Sequence, residues 1–167
     1  MTPNIDNAGR RWLPEFIGAL VCFVAAGLSG IWMRAAQAGL ALPEWVEFAN
    51  LRHAHSHLMF FSWVTPALMV AVAAMLTRGG ESVRGMRATI WANIGFGVLT
   101  FPPFLLWGYE SVAIGSAELP IAAIVSGFSI FAWYAFGWLW VRHRDRLPAD
   151  AARLSLDVAV ATLVLFS

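Results

Sequence analysis

Four apolar runs, approximately Leu13 to Met33, His55 to Leu76, Met86 to Trp107 and Pro120 to Val141, leave this chain few folds to choose from. A helix needs about 20 mainly apolar residues to cross the hydrocarbon core of a bilayer. Backbone polar groups find no water there, so each run must satisfy its own hydrogen bonds as a helix. A fifth apolar segment opens near Leu154 and stops at Ser167, short of a crossing. It reads as the front of something longer, or as a span completed by a partner: further helices of a longer chain, another subunit or a second copy. The expected fold class is therefore all-α, a polytopic transmembrane helix bundle with four complete spans and a partial fifth, forming one domain over residues 1–167 and surrounded by membrane lipid. Composition agrees, with 59% hydrophobic and 13% charged residues, against roughly 45–50% and about 25% in soluble domains.

The basic residues set a direction. All 11 are Arg, and 10 acids offset them, so no basic surface points to nucleic acid. Arg10, Arg11, Arg78, Arg84, Arg87, Arg142, Arg144, Arg146 and Arg153 fall on one side of the spans, and only Arg34 and Arg52 on the other. Basic loops stay on the cytoplasmic side, which predicts a bacterial-type inner-membrane protein with a cytoplasmic N-terminus. Arg10-Arg11 precede an apolar run longer than the roughly 7–15 residues of a cleaved signal, so the first run reads as an uncleaved span and the twin Arg as a topology signal. Cys22 excludes a disulfide framework and reads as a packing residue. Pro102-Pro103 predict a kink with freed carbonyls in the third span. Ala26, Gly27, Gly30, Gly127 and Gly137 predict close helix contacts. Trp12, Trp32, Trp107, Trp138 and Trp140 read as an interfacial belt, and Asp157 as an ion-pair partner of Arg153 four residues before it.

One cluster carries chemistry. His53-Ala-His55-Ser-His57 stands where the second run begins, at the predicted outer face. Imidazole is costly in a bilayer and is a common ligand for transition metals and heme iron. On a helix, His53 and His57 lie one turn apart on one face and His55 points nearly opposite. The pair has the spacing of a helical chelate for copper or zinc, with Glu47, Glu110 or Glu118 as a further ligand. His55 alone suits an axial position on a heme iron. The stripe below His55 runs Met59, Ser62, Pro66 and Met69, where the small Ser62 leaves room and the polarizable Met59 can face a ring. The stripe below His53 and His57 runs Phe60, Val64 and Leu68, as for ordinary helix or lipid contact.

The run His55-Ser-His-Leu-Met59-Phe-Phe-Ser-Trp-Val-Thr-Pro66-Ala67-Leu68 resembles the second helix of heme-copper oxidase subunit I. His55, Met59, Pro66, Ala67 and Leu68 match that helix in spacing, while Phe60-Phe61 sits one position early. Gly27-Leu-Ser29-Gly-Ile-Trp-Met-Arg34 is similar to the family's first helix, which has small residues, a Ser and a closing Arg near the heme; here the Ser to Arg spacing is one residue longer. Ser56 replaces the family's Gly, and the loop from Thr77 to Arg87 lacks the Asn and Asp pattern of its proton channel. The resemblance covers only the opening helices of that subunit.

The resemblance implies a heme-binding protein with His55 as axial ligand and Arg34 near the heme, and Met59 and Ser62 of the stripe below His55 complete the expected cofactor contacts. It further implies electron transfer or a part in a respiratory oxidoreductase. Helices that in the family supply the second axial His, the copper-binding histidines and the cross-linked Tyr have no counterpart here, so no complete catalytic site is expected in these residues. The alternative is a membrane copper- or zinc-binding or sensing protein using His53 and His57.

Overall fold

The computed structural model describes residues 10–165 and is 76% helical. Helix α1 is Leu13–Gln37. Helix α2 runs from Phe48 to Leu76 in three stretches: α-helical Phe48–His57, π-helical Leu58–Val64 and α-helical Thr65–Leu76. Helix α3 is Met86–Trp107. A short antiparallel hairpin, β1 Val112–Ile114 and β2 Ala117–Leu119, leads into α4, Ile121–His143. A 3-10 turn, Arg144–Arg146, precedes α5, Ala151–Leu165. Helices α1 to α4 are long and apolar enough to cross a membrane, which makes this a multi-pass membrane protein.

Successive helices pack side by side and antiparallel, with α3 touching α1, α2 and α4, and α5 lying against α4. One end of the bundle gathers the Arg-rich loops and the other the histidine cluster; they are called here the Arg end and the His end. Lipid is as apolar as leucine, so helices in it associate through close packing and polar contacts. Helix α1 shows this directly. Its buried residues are Glu15, Ala19, Cys22, Ala26 and Ser29, a single stripe of small or polar side chains, while Val21, Val24, Leu28 and Ile31 are exposed.

Pro66 accounts for the π-helical stretch. Proline lacks an N–H and its ring crowds the carbonyl four residues earlier. At the end of the stretch the Thr65 N–H donates to Phe60 O. The next carbonyl in that register, Phe61 O, would look to Pro66 for a proton that it does not carry. Asn93 of α3 supplies the donor instead, with Nδ2 2.7 Å from Phe61 O. We expect Asn93→Leu to lower stability by about 1–3 kcal/mol, the cost of orphaning a buried acceptor, read as a lower unfolding midpoint in detergent. Just beyond, Ser62 Oγ donates to Ile94 O at 3.3 Å, and Gly97 comes so close that a Cβ on it would lie 2.8 Å from both Ser62 N and Phe61 C.

The Arg end is held by polar ties between loops. Trp12 Nε1 donates to Thr77 Oγ1 at 3.0 Å, Arg87 to Arg11 O at 2.8 Å, and Arg146 pairs with Glu81 at 3.1 Å. Several expectations change here. Trp12 and Trp140 are buried, not interfacial, because each indole N–H has an acceptor inside: Thr77 for Trp12 and Asp157 for Trp140, at 2.8 Å. Asp157 pairs with Arg144 at 3.0 Å; Arg153, one turn earlier on α5, points back to Asp145. Gly27 and Gly127 face open space, whereas Gly137 receives Val164 of α5. Helix α3 continues through Pro102 and Pro103 to Trp107; Val98 and Leu99 lose the N–H groups that would ordinarily reach their carbonyls.

Candidate functional site

The histidine cluster sits within a helix and not at its start. The apolar run begins at His55, but α2 starts at Phe48, so His53, His55 and His57 all have helical geometry and separate as their spacing requires. His55 turns toward α1, while His53 and His57 face the end of α3.

His55 is half-buried, and its Nδ1 lies 3.0 Å from Ala26 O and 3.0 Å from Ser29 Oγ. A backbone carbonyl can only accept, so Nδ1 must carry the proton. Ser29 agrees, because its hydroxyl donates to Ala26 O at 2.7 Å and leaves an oxygen lone pair for the imidazole N–H. In the neutral ring, the lone pair is then on Nε2. Gly30 makes room for the ring, since a Cβ there would stand 3.1 Å from His55 Cε1. Histidines that ligate metals commonly donate their second ring N–H to a carbonyl or similar acceptor, which fixes tautomer and orientation. His55 is arranged in that way.

The other cofactor candidates divide. Met59, one turn below His55, is half-buried and packs against the main core. Ser62 is fully buried, and the room that it leaves is taken by Gly97 of α3. Arg34 is exposed and donates to Gln37 Oε1 at 3.1 Å, so the structure does not bring it to His55. Ser29, part of the stretch that carries the family resemblance, is the α1 side chain that meets His55.

An apolar groove of about 690 Å³ opens between α1 and α3 and includes Cys22, Ala25, Ser29, Trp32, Val98 and Pro102 in its walls. Ser29 thus lies between His55 and this groove. Its volume falls within the roughly 300–1,000 Å³ usual for small-molecule and cofactor sites.

On the opposite face, the His57 ring stacks on buried Phe104 with centroids 3.8 Å apart, and His53 meets Tyr109 edge-on at 4.8 Å. His57 Nδ1 is 2.8 Å from His53 O, again a carbonyl, so its lone pair too is on Nε2. Among the described residues, no three His, Cys, Asp or Glu side chains form a group able to hold a metal ion, so Glu47, Glu110 and Glu118 do not complete a set with His53 and His57.

This chain matches no family model, no curated protein and no solved structure. Its own geometry therefore carries the functional reading.

Two residues that pack on the cluster were not singled out from the sequence, Phe104 and Tyr109 on the His53 and His57 face, nor was Asn93, which serves the π-helical stretch below it. Asn93 had a readable signal, an amide alone in the middle of an apolar run. Phe104 had none, because an apolar residue in an apolar helix carries no mark of what it touches.

Proposed function

We propose that this protein binds heme through His55 Nε2 and serves in one-electron transfer or as a component of a respiratory oxidoreductase. The observation that supports the reading best is the fixed tautomer of His55, whose Nδ1–H is held by Ala26 O and Ser29 Oγ. The resemblance of the His55 to Leu68 run to the second helix of heme-copper oxidase subunit I points the same way. The residues fit an imidazole-ligated iron in two respects: the neutral His55 ring keeps its lone pair on Nε2, and Ser29, the partner of Nδ1, also lines the apolar groove between α1 and α3. A bound heme would supply a reversible one-electron couple. The chain's part is to orient the imidazole, keep its second nitrogen protonated and lower the local dielectric, all of which tune the potential of a bound iron. The Arg distribution supports a cytoplasmic-membrane location with the N-terminus inside and the His end outside.

The test is a reduced-minus-oxidised absorbance spectrum of the full chain, purified in detergent after expression with heme supply. A Soret band is expected for the native chain and for the His53→Ala, His57→Ala double variant, and its loss is expected for His55→Ala. Gly30→Ala, which presses a methyl against the ring, should weaken heme retention without removing the ligand. No Soret band in the native chain, or an undiminished one in His55→Ala, would defeat the proposal.

A second reading assigns copper or zinc to His53 and His57, favoured by the Nε2 lone pair that the His57 Nδ1 hydrogen bond leaves available. It predicts that the His53→Ala, His57→Ala variant loses Cu(II) or Zn(II) binding in equilibrium dialysis and that His55→Ala keeps it.

A further inference from the structure

Three buried polar atoms on α3 and α4 have no hydrogen-bond partner among the described residues: Asn93 Oδ1, Ser129 Oγ and Trp133 Nε1. The cost of an unpaired buried polar group is about 1–3 kcal/mol, so one such atom invites an explanation and three together demand one.

Asn93 and Trp133 both neighbour Phe61 of α2, and Ser129 lies one turn from Trp133. Asn93 Nδ2 is committed to Phe61 O; because that carbonyl can only accept, the amide must present its oxygen to the other side. The Phe61 ring packs edge-on against Trp133 with centroids 5.1 Å apart. Ser129 and Trp133 are one turn apart on α4 and share a face. The antiparallel register of α3 and α4 is marked by Phe96 against Phe128 at 5.9 Å and by Phe104 clustered with Ala122. That register sets Asn93 opposite the turn from Ser129 to Trp133.

Their chemistry is complementary. Trp133 Nε1 only donates, Asn93 Oδ1 only accepts, and the Ser129 hydroxyl does both. No charged group belongs to the set, and Asn93 and Ser129 are both 0% exposed. We propose that these three side chains bind one small neutral molecule that both donates and accepts hydrogen bonds, a water, and that it ties α4 to the π-helical part of α2 through α3. A buried water typically makes about three hydrogen bonds to such groups, and here three are offered. The site is independent of the heme reading, since it lies on the opposite side of α2 from the α1 contact of His55.

The sign of a stability change tests this. Trp133→Phe keeps the ring and deletes the N–H; Ser129→Ala deletes the hydroxyl. If a water joins the two, each variant of the full chain in detergent should unfold at a lower temperature, and the double variant should lose less than the two losses added, because one bridge is removed only once. If the atoms are simply unpaired, each deletion should leave the midpoint unchanged or raise it, which would overturn the proposal. A second measurement does not depend on variants: in a water-edited proton NMR spectrum of the native chain in lipid, the indole N–H close to the Phe61 ring should receive magnetisation from water. Its absence would also overturn the proposal.

Discussion

Gly97→Ala should force α2 and α3 apart and cost about 3 kcal/mol, the upper part of the usual range for overpacking. The added methyl would meet Ser62 N and Phe61 C at 2.8 Å, and these are backbone atoms that no rotamer change can move. Separation of the two helices would also stretch the Asn93 bond to Phe61 O and the Ser62 bond to Ile94 O, so the effect should exceed that of Asn93→Leu. Gly95→Ala is the matched control: it lies in the same helix, and none of the described residues comes within 4 Å of the new carbon. That change should be neutral or stabilising by up to about 1 kcal/mol, from reduced chain entropy. Unfolding midpoints in detergent for the two variants compare directly, and equal values would show that the α2–α3 contact does not limit stability.

Arg87→Ala should be the second large loss, about 3 kcal/mol, because it strands a buried carboxylate. The Glu15 side chain is 0% exposed and its Oε1 receives Arg87 Nε at 3.1 Å and Trp91 Nε1 at 3.1 Å. Gly18, one turn along α1, lets the Trp91 ring approach, since a Cβ there would meet Trp91 Cη2 at 2.7 Å. The Arg87 side chain is 54% exposed, so solvent screens part of the pair and the lower end of the range for broken buried pairs applies. Glu15→Gln removes the charge while keeping the shape, and should cost less than Arg87→Ala. The double variant should recover most of the loss, since no charge is then left inside. Additive losses would mean that the two side chains act independently, contrary to the observed contact.

The histidine cluster shows how far local pattern reaches. A helical periodicity places His55 opposite His53 and His57, and that division is present in the structure. The partner of each face was not legible. Ser62 read as room for a ligand, yet a small residue only permits close approach, and what approaches is Gly97 of α3. Trp12 and Trp140 stand at span ends as belt residues do; they turn inward because Thr77 and Asp157, far from either in sequence, offer acceptors. Arg153 and Asp157 have the spacing of a helical ion pair, but Asp157 pairs with Arg144 of the 3-10 turn and Arg153 with Asp145.

The amino-acid sequence alone determined that this chain crosses a membrane as four helices, because hydrocarbon admits only segments that satisfy their own backbone over about 20 residues, a property counted along one run at a time. It also determined which side chains share a helix face. Only the tertiary structure decided that Ala26 and Ser29 hold the His55 imidazole, that Asn93 serves the carbonyl orphaned by Pro66, and that Glu15 is buried with Arg87. Each of these joins groups on different helices, and their meeting depends on how closely small residues such as Gly18, Gly30 and Gly97 let the helices approach.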